Sequence, residues 1–345
     1  MIQNSLFLDA CHGKKGARPP IWFMRQAGRY LAEYLAVRAK HSMLDVIRTP
    51  ELAAEVTLQP IRRFGFDASI IFADILNPLI GMGLDLEFVE KTGPVISNPV
   101  RSHADIEKLR VPDAIENTGY TAEAIKLVTK ELNPLGVPLI GFAGAPFTLS
   151  AYAIEGGKIG ALQRVKEFMF TEPKSWHLLQ EKFVALLVDY MLMQVEAGAS
   201  ALQLFDSWLG QLSPQQYIVY VEPYLKEIFQ CLLQKTNVPL LFFSTSTSGL
   251  YPYFAKLDID VLGVDWRIDL QTAASLINNK LPLQGNLDPI LLIRGGPALD
   301  REVAHILKQA QGLPAHIFNL GHGILPPTPI EHVSHVLDLI RAGVS

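Results

Sequence analysis

Cysteine is nearly missing from this 345-residue chain: only Cys11 and Cys231 occur. A disulfide framework is therefore not expected, and the usage fits a reducing, cytoplasmic compartment. Two thiols so far apart also make no thiolate metal cluster. Net charge is just as sparse, with Lys+Arg 30 against Asp+Glu 34, a formal -4. Nucleic-acid binders carry a clear basic excess, so nucleic acid is not an expected partner. An anionic ligand would need arginines concentrated locally. No apolar run reaches the roughly 18 residues of a membrane span. The opening residues Met1–Pro20 lack the basic, apolar and small-residue order of a signal peptide. There is no P-loop, and Gly81-Met82-Gly83 lacks the third glycine of a dinucleotide fingerprint. No G-x-S-x-G nucleophile elbow occurs either. Linkers, charge blocks, low-complexity tracts and internal repeats are also lacking. One domain is therefore expected over residues 1–345, with 1–18 as an N-terminal extension.

What the chain does contain is apolar material, 49% hydrophobic against 19% charged residues, enough to bury a sizeable core. Short β-prone runs recur at Pro20–Met24, Ser69–Ala73, Leu139–Gly144 and Ala201–Phe205. Others lie at Pro239–Phe243, Val261–Asp265, Pro282–Asn286 and His316–Gly321. They are continuous rather than alternating, the mark of parallel strands covered on both faces. Between them Thr49-Pro50, Ser213-Pro214 and Thr328-Pro329 pair an N-cap residue with a first-turn proline. Thr328 and Glu331 have capping-box spacing. Val333, Val336, Leu337 and Ile340 make one buried stripe in the last helix. Eight strands alternating with helices predict an α/β fold, a (β/α)8 (TIM-type) barrel with its cleft at the strand C-termini. A doubly wound open sheet shares this strand count, and the pattern alone does not separate them.

In a barrel the residues just after each run converge on one face. Arg25 and Arg29 follow the first run, Asp74 the second, and Gly144 and then Tyr152 the third. Asp206 and Ser207, Ser244, Asp265, Asn286 with Asp288, and His322 complete the ring. Arginine offers a planar donor fork suited to carboxylates, although two surface ion pairs would use the same residues. Gly28 between them permits close backbone approach. Asp74 would sit at the barrel mouth, where an aspartate also commonly caps a turn. His322, flanked by Gly321 and Gly323, has no evident packing role. Tyr152 and Ser207 are weak signals alone. His332 and His335 share a helical face beside the apolar stripe and read as a solvated face.

Several blocks resemble the uroporphyrinogen decarboxylase family. Pro20-Ile-Trp-Phe-Met-Arg-Gln-Ala-Gly-Arg-Tyr30 is similar to its N-terminal signature. Gly141-Phe-Ala-Gly-Ala-Pro-Phe-Thr-Leu149, continuing through Tyr152 to Glu155-Gly-Gly157, is similar to its second. Ile70–Leu76, Leu202–Trp208, Leu283–Pro289 and Asn319–Pro326 follow in the family's order. The likeness runs from about residue 19 to residue 340.

The resemblance implies conversion of uroporphyrinogen III to coproporphyrinogen III, with loss of four CO2, in porphyrin and heme biosynthesis. It implies a cofactor-free, metal-free carboxy-lyase that is usually a homodimer. It implies substrate contacts by Arg25, Gln26, Ala27, Gly28, Arg29, Asp74, Tyr152, Ser207 and His322, with Asp74, Arg25 and Arg29 catalytic. Departures are Ala32 for a common proline, Leu35 for a common arginine, and Ser244-Thr-Ser-Thr-Ser-Gly249 for a lysine-bearing glycine-rich stretch. Two rivals are a zinc-dependent methyltransferase of the same barrel superfamily and a tetrapyrrole carrier without turnover. The first needs a His-x-Cys and a later Cys, which Cys11 and Cys231 do not supply.

Overall fold

Seven of the eight apolar runs form one parallel sheet in the computed structural model, which describes residues 5–89, 92–157 and 159–343. In sheet order the strands are β1 (Ser69–Ile70), β4 (Leu139–Gly144), β5 (Ala201–Asp206) and β6 (Leu240–Ser244). They continue as β7 (Val261–Gly263), β8 (Leu283–Leu287) and β9 (His316–Leu320). Sequential neighbours pair in parallel throughout, as repeated right-handed β-helix-β units dictate. An antiparallel hairpin of β2 (Leu86–Val89) and β3 (Gly93–Ile96) interrupts the alternation and was not foreseen.

The eighth run, Pro20–Met24, lies between the sheet's two edges with a single parallel bridge, Ile21 to Phe318. The Phe318 N–H donates to the Pro20 carbonyl at 2.9 Å, and the Asp67 N–H to that of Ile21 at 2.9 Å. Side chains complete the seam. Asp67 Oδ2 accepts the Ile21 N–H at 2.7 Å, and Asn319 Oδ1 accepts that of Met24 at 3.0 Å. This run therefore joins both edges while making only one ladder pair. β1 is also shorter than expected, because the chain leaves the ladder after Ile70. The orphaned Phe142 amide and carbonyl of β4 instead bond the Gln194 side chain at 2.9 and 3.0 Å.

Alternation along the strands separates two apolar layers. Leu202, Leu204, Phe242, Leu262, Leu283, Phe318 and Leu320 face the helices. Trp22, Met24, Ile140, Leu241, Val261 and Ile317 fill the interior. Phe7, Ala10 and Cys11 of helix Leu6–Cys11 join the interior cluster at the strand N-terminal end. The segment expected as an extension thus supplies part of the inner core, and only the C-terminal end is left for a cleft.

Helix starts fall at the expected positions in two of three places, with a side-chain cap bond only at Ser213. Thr49 is the N-cap of Pro50–Phe64, and Ser213 forms a capping box with Gln216 ahead of Pro214–Tyr220. The last helix starts later, at Ile330 with Pro329 as N-cap, so the Thr328–Glu331 box does not form. Its stripe of Val333, Val336, Leu337 and Ile340 is buried as expected. His335 is exposed and bonded to Asp300 at 2.7 Å. His332 is instead half-buried, with its Nδ1 2.9 Å from the Leu292 carbonyl.

Candidate active site

Arg25 is the first residue past the seam, and its backbone is left-handed, with φ 61°. A non-glycine residue there stores strain of order 1–3 kcal/mol, which commonly marks a functional position. Met24, the residue before Arg25, is held at both of its backbone polar groups. Asn319 fixes the Met24 amide, and the Ile324 N–H donates to the Met24 carbonyl at 2.9 Å. The Arg25 stem lies across Gly323, where an added Cβ would come within 2.5 Å of Cδ. Gln26 is buried, with its side chain between the Phe23 amide at 3.1 Å and the Ala68 carbonyl at 3.2 Å. Ala27 and Gly28 are half-buried, and Arg25 and Arg29 are exposed. Among the described residues, the N–H groups of Ala27, Gly28 and Arg29 donate to no protein acceptor. Together they form a basic loop with open donors.

Asp74 stands where the chain has left β1. Its Oδ1 accepts the Leu76 N–H at 2.9 Å, an Asx-turn that fixes the carboxyl while leaving Oδ2 open. This turn packs closely on β4 at Gly144, where an added Cβ would lie 3.0 Å from the Ile75 side chain. Burial raises the Asp74 pKa above the ordinary carboxylate value, while the Leu76 amide and the Arg25 charge oppose that rise. Among the described residues no ion pair joins Asp74 to Arg25 or Arg29.

Tyr152 lies on helix Pro146–Glu155 after β4, half-buried and edge-on to Trp208 with ring centroids 6.4 Å apart. Burial raises its pKa, and the charges of Asp74 and Arg25 reach it with opposite effects. Ser207, half-buried at the end of β5, donates its N–H to Thr148 Oγ1 at 2.9 Å. His322 follows β9, beside Phe243 and Trp266 at ring separations of 6.5 Å each. Its pKa is pushed down to about 4, first by burial, then by the charges of Arg25 and Arg267. Nδ1 accepts the Gly323 N–H at 2.7 Å, so the neutral ring carries its proton on Nε2.

Arg25, Asp74, Tyr152 and His322 thus share one electrostatic neighbourhood, with Ser207 joined to it through Trp208. Arg29 sits at the far end of the loop, where its charge is felt at Tyr34 rather than at Asp74. Inside the barrel near these strand ends, Phe142, Phe205 and Phe243 make successive edge-to-face contacts at 5.6 and 6.0 Å. The result is an apolar floor beneath a polar rim.

A model of the Uroporphyrinogen decarboxylase (URO-D) family matches residues 2–343. A uroporphyrinogen decarboxylase of Chloroflexus aurantiacus is 48% identical over 339 residues, covering 97% of this chain and 95% of that protein. One from Thermus thermophilus is 46% identical over 340 residues, covering 99% and 98%. The chain belongs to the uroporphyrinogen decarboxylase family. A solved methyltransferase from Methanosarcina mazei superposes with a TM-score of 0.80 at 20% identity, covering 98% of this chain and 97% of that one. That likeness shows the shared fold alone.

In this uroporphyrinogen decarboxylase family member neither cysteine lies at the cleft. Cys11 is in the inner core and Cys231 is on the outer helix Glu222–Lys235. Among the described residues no three His, Cys, Asp or Glu side chains converge as a metal site. No described helix is long and apolar enough to cross a membrane.

Other strand-end residues are occupied internally. Asp288 caps helix Pro289–Arg294, Ser244 bonds Thr247 at 2.6 Å, and Asn286 Nδ2 bonds the carbonyls of Asp265 and Ile268. The divergent loop after β6 is tied down by Thr245 donating to the Ser207 carbonyl at 3.1 Å. The Ser246 N–H donates to Asp265 Oδ2 at 2.6 Å. Leu35, in the place of a common arginine, is exposed.

Sequence reasoning missed Trp208, Trp266 and Arg267. Arg267 stacks over Trp266 with its guanidinium 3.9 Å from the ring and bonds Asp265 at 2.8 Å. The aromatic residues directly after Asp206-Ser207 and Asp265 were the available signal. A cavity of about 290 Å³ adjoins the site behind Trp266 and Arg267 and is lined also by Asp269, Asp288 and Glu302; a second of the same size lies among outer helices, lined by Glu181, Asp189, Glu227 and Lys235. Acidic side chains outnumber basic ones in both, which disfavours a polycarboxylate there.

Proposed function

We propose that this chain, a carboxy-lyase of the uroporphyrinogen decarboxylase family, turns uroporphyrinogen III into coproporphyrinogen III at the cleft around Asp74. Four acetates become methyl groups and four CO2 leave, a step of porphyrin and heme biosynthesis. The single observation that carries the site assignment is Asp74. It is a partly buried carboxylate at the barrel mouth, held by one amide and within reach of the Arg25 charge without pairing with it.

The chemical difficulty is the electron pair released onto the methylene carbon when CO2 departs. The pyrrole itself takes it. Protonation of a ring carbon makes the pyrrole cationic, and the C–C electrons of the departing carboxylate flow into that cation. The exocyclic carbon is then protonated to a methyl group, and loss of the ring-carbon proton restores the pyrrole. Asp74 accepts hydrogen bonds from the pyrrole N–H groups and opposes the developing positive charge. Such preorganised charge is usually the largest contribution to catalysis. Four steps run at one Asp74 if the macrocycle turns over the Phe142–Phe205–Phe243 floor.

Arg25 and Arg29 clamp substrate carboxylates, one of them delivering a proton. The open amides of Ala27, Gly28 and Arg29 add donors, while Gln26 braces the loop through its buried side chain. Tyr152, the Nε2–H of neutral His322 and Ser207 anchor peripheral carboxylates. The reading needs no metal or cofactor and includes a cytoplasmic homodimer of single-domain subunits.

The test is anaerobic incubation with uroporphyrinogen III, oxidation, and chromatography of the porphyrins. Appearance of the four-carboxyl product, undiminished after dialysis against a chelator, supports the reading. Bound but unchanged substrate would favour a carrier, and loss of activity restored by zinc would favour metal chemistry.

A further inference from the structure

Asp206 is fully buried at the end of β5, one residue before Ser207, and points to the helix side of the sheet. Its Oδ1 accepts three hydrogen bonds, from the Thr148 hydroxyl at 2.8 Å, the Trp208 N–H at 3.1 Å and the Leu209 N–H at 3.0 Å. Thr148, having given its proton to Asp206, accepts the Ser207 N–H at 2.9 Å. One carboxylate therefore fixes the amides of Ser207, Trp208 and Leu209, the first through Thr148. Thr148 lies one helical turn before Tyr152 on helix Pro146–Glu155. The same contact thus locks the helix carrying Tyr152 to the turn carrying Ser207, with Trp208 against the Tyr152 ring between them.

A plain turn cap would explain the two amide bonds, since Leu209–Gln211 is a short 3-10 turn. It does not explain the burial. Oδ2 is buried without a hydrogen-bond partner among the described residues, an arrangement that desolvates the carboxyl and raises its pKa to about 6. An exposed cap would form the same turn without that desolvation.

We propose that Asp206, through Thr148, is a positioning residue that sets the distance between Tyr152 and Ser207 and so governs how tightly the substrate's peripheral carboxylates are held. The inference rests on the functional reading above and assigns to Asp206 no contact with substrate. Asp74 and the arginine loop lie on other elements, so the effect falls on binding rather than on the chemical step.

The experiment measures kcat and KM for the full-length wild type and for Asp206→Asn, Asp206→Ala, Thr148→Val, Ser207→Ala and the double variant Asp206→Ala/Ser207→Ala. Asp206→Ala and Thr148→Val should raise KM about tenfold, with kcat changed less than about threefold. Asp206→Asn keeps an acceptor oxygen and should recover most of the KM. Ser207→Ala should have much less effect in the Asp206→Ala background than alone, because an unpositioned serine has little left to lose. If Ser207→Ala keeps its full effect there, or if Asp206→Asn is as impaired as Asp206→Ala, the inference is overturned. Should Asp206→Ala fail to fold, Thr148→Val with and without Ser207→Ala gives the same comparison. An inert wild type sinks the functional reading itself, whereas an active wild type with an undiminished serine effect sinks only the inference.

Discussion

Asp74 and Arg25 sense each other's charge without pairing, and this is what keeps both available to a ligand. Burial alone would push the Asp74 carboxyl further toward its neutral form; the Leu76 amide and then the Arg25 charge hold it down. Arg25→Met removes the arginine's share of that restraint, so the Asp74 pKa should rise. The acid limb of the kcat/KM profile should then move to higher pH. A limb that stays put or moves down would separate the two charges. His322 gives a second prediction, because burial and two arginines hold its pKa near 4. Its imidazole resonances should titrate below pH 5, with the ring proton on Nε2 at neutral pH; a midpoint above 6 would contradict the geometry. Asp206 gives a third. Its folded pKa of about 6 lies above the ordinary 3.8, so the folded state holds the proton more tightly. The stability tied to that proton is present below about pH 4 and lost as pH rises through 6. Asp206→Asn stays neutral, so its melting temperature should gain on the wild type between pH 4 and 7.

The turn and loop elements show how glycine admits the site. Gly323→Ala would drive a methyl group into the Arg25 side chain rather than into backbone. Activity should therefore fall about tenfold or more while the melting temperature stays within a few degrees, the signature of a displaced flexible side chain. Equal loss of fold and activity would mean that Gly323 serves packing alone. These elements also show what the sequence could disclose. Val261, Leu241 and Ala201 sit in continuous apolar runs, and such runs read directly as buried parallel strands. Pro20–Met24 looks the same in composition, yet its polar groups go to the Asp67 and Asn319 side chains, partners that composition does not reveal. β1 ends early for the same kind of reason, since Gln194 takes over the bonds of Phe142 from a distant helix. Strand-end position marked Arg25, Asp74 and His322 as candidates, but Ser244, Asn286 and Asp288 stood at equally promising ends and are occupied internally. Roles needed the family likeness. Helix start Thr328 was misread because a proline at position 329 can be an N-cap as well as a first helical residue.

At the scale of the whole molecule, the helix Leu6–Cys11 fills one end of the barrel and leaves the other end as cleft, apolar below and basic at its rim. A homodimer should sediment at twice the monomer mass at micromolar concentration, and a monomer that is fully active would remove the dimer from the account. In the proposed function the division of labour is spatial: cations at the rim hold the macrocycle, and one anion at the mouth turns it over. A tight carrier would need only the first. The direct test is Asp74→Asn, which keeps shape and removes charge, assayed anaerobically for both substrate affinity and single-turnover CO2 release. Losing one preorganised charge of this kind removes roughly 3 kcal/mol of transition-state stabilisation, on the order of a hundredfold in rate. The account predicts affinity within about threefold of wild type with turnover down by about a hundredfold or more; near-normal turnover in a folded Asp74→Asn protein would contradict it.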